Sequence, residues 1–287
     1  MKDEKQNDKS KNMGGSKKSN GESDKIKKPE FGKFMNSGIK GFDKLFTRGI
    51  PRNSSIIVEG GPGSGKTIFC LQTAMNACER GETVLYMSFE EHKDRLIDHM
   101  EDFGWNPKKY IEKGLLRIER YSALDVARSV EALLSAAKKE LMVDIQPVLF
   151  PKDFEPDLLL IDSLTSISSA FSGEESRFRI YMEQLFRYLE NERITSLLIR
   201  ESPMPTHLGS GTSQSAGGEA VSFLSDGIIV IYNVVFDNGT RGGGIEVLKM
   251  RGESFDKRIV EMEITTKGMV VHDKSLAQAH KINYRLT

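Results

Sequence analysis

The chain has 287 residues, enough for one large α/β domain or two small ones. Lys and Arg total 41 and Asp and Glu total 41, so the formal net charge is zero and a globally basic nucleic-acid binder is excluded. The longest apolar runs, such as Leu158–Ile161 and Ile228–Ile231, are far below the roughly eighteen residues of a membrane span.

The zero is a sum of unlike parts. Residues 1–33 carry ten Lys and no Arg against six acidic residues, a surplus of +4 that leaves −4 for the rest. So few apolar residues occur there that a disordered lysine-rich tail is expected, and any weak attraction to nucleic acid should reside in it. Its charged start has no apolar stretch of the secretory type. The two cysteines, Cys70 and Cys78, fall on one expected helix, too far apart for a disulfide. A reducing, cytoplasmic setting is expected.

From Phe34 the pattern alternates. Short apolar strands are predicted at Ser55–Glu59, Thr83–Phe89, Leu115–Ile118, Leu158–Ile161, Ser196–Ile199 and Gly227–Tyr232. Helices are predicted at Thr67–Cys78, His92–Phe103, Leu124–Leu141 and Glu174–Asn191. Nearly continuous apolar strands alternating with helices imply a mainly parallel sheet covered on both faces. Gly244–Lys249, Arg258–Thr265 and Met269–Val271 are separated only by turns, so an antiparallel extension should end the domain. The expected domain spans 34–275, followed by a tail at 276–287.

Gly60-Gly61-Pro62-Gly63-Ser64-Gly65-Lys66-Thr67 follows a predicted strand and opens a predicted helix, the context of a phosphate-binding loop. Glycines let successive N–H groups turn inward toward phosphate oxygens, and the helix N-terminus adds its dipole. Lys66 is expected to reach the β- and γ-phosphates, and the Thr67 hydroxyl to ligate Mg²⁺. The expected nucleotide-binding set is Gly61, Gly63, Ser64, Gly65, Lys66, Thr67 and Ile68.

Asp162 ends a buried strand downstream of that loop, where a second metal-side ligand belongs; a helix cap is the plainer alternative. Glu90 and Glu91 follow another strand. They suit either a base for an attacking water or the first turn of the next helix. Lys249 and Arg251 stand two apart on a strand and so point the same way. They are either solvated charges or cations offered to a neighbour's nucleotide.

The ordered series Gly38-Ile39-Lys40-Gly41-Phe42-Asp43-Lys44-Leu45-Phe46, Gly49-Ile50-Pro51, the phosphate loop, Ser88-Phe89-Glu90-Glu91, Gly104-Trp105 and Ile161-Asp162-Ser163 resembles the KaiC-like branch of the RecA superfamily. Ser225-Asp226-Gly227, Lys249-Met250-Arg251-Gly252 and Ile264-Thr265-Thr266-Lys267-Gly268 continue it, and the matches cover residues 35–272. The resemblance implies a RecA-like α/β P-loop core in a single-domain protein. It also implies ATP and Mg²⁺ as ligands and a hexameric ring with ATP between neighbours. It makes Glu90 and Glu91 the water-activating base and its helper. It makes Lys249 and Arg251 cations that reach the adjacent subunit's γ-phosphate. An autokinase acting on Ser222 is implied as an open possibility; the second phosphorylatable position of the family is Phe223 here. The chain also departs from the family at Glu253, where Ser or Thr is frequent, and at Phe255, where His is frequent.

Two other readings remain open at this level. A DNA strand-exchange ATPase would share the phosphate loop, but the corresponding DNA loop, Ser202–Gly218, has no Lys or Arg. A nucleotide-binding regulator without useful turnover would share everything but the chemistry.

Overall fold

The computed structural model describes residues 31–128, 151, 153–171, 174–202, 221–236, 241–276 and 284–286. The lysine-rich segment up to residue 30 lies outside them, as does Ser202–Gly218 beyond residue 202. The predicted helix Leu124–Leu141 is represented only by helical residues 123–128.

In chain order the strands are β1 (Phe34–Met35), β2 (Ile50–Pro51), β3 (Ser55–Gly60), β4 (Val84–Ser88), β5 (Leu116–Arg120), β6 (Leu158–Asp162) and β7 (Thr195–Glu201). They continue as β8 (Gly227–Phe236), β9 (Arg241–Met250), β10 (Val260–Thr265), β11 (Gly268–Leu276) and β12 (Tyr284–Leu286). The helices are α1 (Lys66–Glu79), α2 (Lys93–Asp102), α3 (Pro107–Glu112), α4 (Leu164–Ala170) and α5 (Glu175–Asn191). A 3₁₀ turn covers Phe42–Leu45.

Ten strands form one mixed sheet in the order β11-β10-β9-β8-β3-β7-β6-β4-β5, with β12 pairing the far end of β8. The six strands from β8 to β5 are mutually parallel. Beyond β8 every pairing is antiparallel. The expected parallel core and antiparallel extension are therefore both present. The extension is longer than its apolar residues suggest, because β9 and β11 run on through Gly, Arg and charged positions at the sheet margin.

Side-chain alternation along the strands feeds two cores. Ile56 and Val58 of β3 join Phe69, Leu71 and Ala74 of α1 and Leu96 and Met100 of α2 on one face. Ile57 of β3 joins Ile167 of α4 and Phe178, Met182, Leu185 and Leu189 of α5 on the other. Each of these fully buried side chains larger than alanine contributes about 1.5–3 kcal/mol. On the first face Phe69 meets Phe42 edge-on at 5.1 Å. The 3₁₀ turn carrying Phe42 is drawn against β11. The chain at Gly41 passes so close that a Cβ would stand 1.8 Å from the Val271 carbonyl oxygen, and its φ is 87°. Only glycine meets both conditions.

Two helices have no counterpart in the sequence reading. In α3, Asn106 caps the first turn by accepting from the Lys109 amide and Pro107 occupies the first helical position, a recognisable start signal over too short an apolar pattern. Ser163 likewise caps α4, accepting from Ser166 N at 3.3 Å. Glu253 is buried and takes the Arg48 amide and guanidinium at 2.7 and 2.8 Å, while Phe255 bridges to Phe46. The two departures from the family pattern thus fasten the turn after β9 to the segment before β2. Cys70 and Cys78 are buried free thiols. No described helix is long and apolar enough to cross a membrane.

Candidate nucleotide site

The parallel strands all end on one edge, and the loops after β3, β4, β6 and β7 meet there. This is where ligands bind in open α/β sheets. The loop after β3 turns into α1 through Gly65, whose φ of 100° ends the loop without any side-chain cap on the helix. The first amides of α1 are therefore without intrahelical partners and face the crevice. Gly63 has a φ of 71°, and nothing lies within 4 Å of where its Cβ would be, so the space before the loop is open. Ser64 Oγ is buried without a hydrogen-bond partner.

A cavity of about 400 Å³ sits over this loop. The expected residues Gly63, Gly65, Lys66, Thr67, Ile68, Glu90, Glu91 and Asp162 line it. Gly61 and Ser64 belong to the same turn; the Gly61 carbonyl accepts from Lys66 Nζ at 2.8 Å.

The carboxylates are held in distinct ways. Asp162, at the end of β6, accepts from Thr67 Oγ1 at 3.0 Å and from the Tyr86 hydroxyl at 2.7 Å. Burial pushes its pKa above the ordinary value, against the pull of those two hydrogen bonds. Burial holds the Tyr86 phenol well above its ordinary pKa, so it remains a donor. Glu90 Oε1 accepts from Ser163 Oγ and Ser166 Oγ, both at 2.7 Å. Glu91 Oε2 lies 3.4 Å from Arg95 Nε and 3.7 Å from His99 Nδ1. Its amide donates to Ser88 Oγ at 3.0 Å, which pins the strand end.

Lys66 is buried, and burial lowers its pKa against the attraction of Glu201, Asp162 and Glu90. Glu201 was not anticipated. It ends β7, lines the cavity and stands 3.7 Å from Lys66 Nζ. Tyr86 and Ser166 were also missed, and Ser163 and Ile264 stood in the family series without a role at the site. None has a spacing signal, and the pairing of β4 with β6, which sets Ser88 opposite Asp162, brings Tyr86 to the site.

Lys249 and Arg251 are not in this cavity. Lys249 lies near the end of β9 and Arg251 just past it, beside Gly227 at the start of β8, which lies at the opposite edge of the parallel sheet. Lys249 Nζ donates to the carbonyls of Ser222 and Ser225 at 3.1 and 2.5 Å, closing the end of the short helical turn at 221–224. Arg251 donates to the Phe223 carbonyl at 3.0 Å and reaches Asp226 Oδ1 at 3.4 Å. Burial and the neighbouring Arg251 lower the Lys249 pKa. Ser222 Oγ accepts from Arg200 at 2.9 Å.

Comparison with known proteins gives this geometry a family. The model of the KaiC ATPase family matches residues 35–275. A UPF0273 protein of Methanopyrus kandleri is 31% identical over 242 residues, covering 83% of this chain and 91% of its own. One from Pyrococcus horikoshii is 28% identical over 254 residues, covering 86% and 97%. The circadian clock oscillator protein KaiC of Synechococcus elongatus is 27% identical over 239 residues, covering 83% of this chain and 42% of its own. Among solved structures, a KaiC-like protein from Pyrococcus horikoshii superposes with a TM-score of 0.65 at 26% identity, covering 83% of this chain and 98% of that one. With a RecA-type sheet, a phosphate loop at its switch point and this match over nearly the whole described fold, the chain belongs to the KaiC-like ATPases of the RecA superfamily.

Proposed function

We propose that the chain binds ATP with Mg²⁺ and hydrolyses it slowly, as a subunit of a homo-oligomeric ring, hexameric in the family pattern, serving cytoplasmic regulation. One observation carries this reading: an uncapped phosphate loop, the Thr67–Asp162 pair and two further carboxylates converge on a single cavity. In this assignment Lys66 and the loop amides take the β- and γ-phosphates. Glu90 and Glu91 orient the attacking water and accept its proton. The partnerless Ser64 hydroxyl and the open space at Gly63 fit an anionic ligand.

Thr67 and Asp162 are the residues that would hold Mg²⁺. Hydroxyl and carboxylate oxygens suit a hard cation. Among the described residues no cluster of three or more metal-binding side chains exists. That too fits Mg²⁺, which is commonly held by one or two protein oxygens plus substrate phosphates. When bound, it neutralises charge on those phosphates.

The test is to incubate the pure full-length protein with γ-labelled ATP and Mg²⁺. Phosphate release, protein labelling and oligomer size are then followed in one sample. Mg²⁺-dependent release from a ring-sized species is expected; a monomer that binds ATP without release would sink the hydrolytic reading. Label found on Ser222 would establish the autokinase.

Glu201 yields a second expectation. Its carboxylate competes with a terminal phosphate for Lys66. At about 4 Å in water one unit-charge interaction is worth about 1 kcal/mol; Glu201 is half-exposed and Lys66 buried, so this is the lower limit for the pair. Glu201→Gln should therefore bind ATP about fivefold more tightly, with ADP, which keeps only the β-phosphate contact, tightened less. Calorimetric titration of both nucleotides decides it: equal shifts, or weaker ATP binding, would show that Glu201 does not oppose the γ-phosphate.

A further inference from the structure

Asp162 and Glu90 are each held in the same manner. Each uses one carboxylate oxygen to accept from two hydroxyls. Thr67 and Tyr86 both donate to Asp162 Oδ2. Ser163 and Ser166 both donate to Glu90 Oε1. Among the described residues the second oxygen of each, Asp162 Oδ1 and Glu90 Oε2, has no hydrogen-bond partner.

The two donors on Asp162 differ in kind. Thr67 lies on the phosphate-loop helix and is itself an expected cation ligand. Tyr86 lies on β4, is fully buried and lines no part of the cavity. Its ring belongs to the core cluster under α1, and its hydroxyl reaches from that core to Asp162 Oδ2. A buried phenol normally finds a partner, but nothing in packing requires that partner to be the carboxylate at the end of β6. The strand pairing brings it about. Tyr86 sits opposite Leu160 in the parallel register, two positions before Asp162, and its long side chain spans that offset.

We propose that Tyr86 is a positioning residue for the cation: its hydroxyl anchors Asp162 Oδ2, which fixes the carboxylate beside Thr67, where the two residues would hold Mg²⁺. This rests on the Mg²⁺–ATP reading above and adds to it a residue outside the cavity. Without the Tyr86 hydroxyl, Thr67 alone would hold Asp162, and Thr67 is the group the cation also claims. The carboxylate would then rotate toward Lys66, whose ammonium attracts it. A free choice of orientation lowers cation affinity, because the ordering must then be supplied at the moment of binding.

The test uses Tyr86→Phe in the full chain, with a fluorescent ATP analogue titrated in excess EDTA and across a Mg²⁺ series. Nucleotide affinity in EDTA should stay within twofold of wild type, while the Mg²⁺ concentration that half-restores tight binding rises about five- to tenfold. Thr67→Ala is the reference and should raise it at least as far. In an Asp162→Asn background, Tyr86→Phe should add nothing further. Should Tyr86→Phe fail to fold, Tyr86→Met serves with the same expectation.

An unchanged or lowered Mg²⁺ requirement in Tyr86→Phe, with Thr67→Ala raised, overturns the proposal and leaves the cation site standing. A wild-type protein whose nucleotide binding ignores Mg²⁺ overturns the underlying cation reading instead. An equal loss of nucleotide affinity with and without Mg²⁺ overturns the proposal as well, since it marks Tyr86 as part of the packing alone.

Discussion

Replacing Glu90 and Glu91 together by glutamine should lower ATP turnover by about 10²–10⁴-fold, the range of general acid–base catalysis, while ATP binding stays within a few-fold. Glutamine preserves size and most hydrogen bonding but cannot take a proton. The two positions are prepared differently. Glu90 is fixed by Ser163 and Ser166, and Glu91 faces Arg95 and His99. Both stand at the end of β4, beside the Asp162 end of β6 and across the cavity from Lys66. Steady-state phosphate release and equilibrium binding, measured on the same preparation, separate chemistry from affinity. Wild-type turnover in the double variant would remove both residues from the base assignment.

Arg251→Ala should lower turnover by about 10³-fold, the lower end for a cation supplied to a transferring phosphoryl group, and leave ATP binding nearly intact. Its own phosphate loop is beyond reach: β3 alone separates the two edges by six residues, roughly 17 Å at about 3.3 Å per residue. In a closed head-to-tail ring each subunit would present this edge to the next subunit's crevice. Mixing inactive Arg251→Ala and Lys66→Ala proteins should then restore activity. In a mixed ring, some interfaces pair an intact phosphate loop with an intact Arg251. No recovery, under conditions where the two proteins co-assemble by mass, would overturn supply of Arg251 to the neighbouring subunit and favour a role within its own chain.

The fold was legible where burial is two-sided. β3, β4, β6, β7 and β8 are apolar almost without interruption, so their type and rough limits follow from composition alone. Strand order does not. No periodicity says that β3 lies between β7 and β8, or β4 between β5 and β6. Because of that order, Tyr86 and Glu201 could not be placed. Each is an ordinary residue at the end or middle of a strand, and each enters the site only through its lateral neighbours. The phosphate loop, by contrast, carries its whole geometry in eight consecutive residues. Lys249 and Arg251 were visible as a same-side pair, but which edge of the sheet they occupy depends on β9 running against β8.

The hairpin of β10 and β11 reaches back over the start of α1. Ile264 stands beside Gly65, the Met269 amide donates to Gln72, and the Trp105 indole donates to the Lys267 carbonyl. These partners are 162 to 199 residues apart in the chain. During synthesis, the phosphate loop would leave the ribosome long before the wall that borders it. Contacts of such separation close late and slowly. A chain arrested near residue 250 would carry every residue of the nucleotide-binding motif and still lack the hairpin wall, so ATP capture should come among the last events of biogenesis.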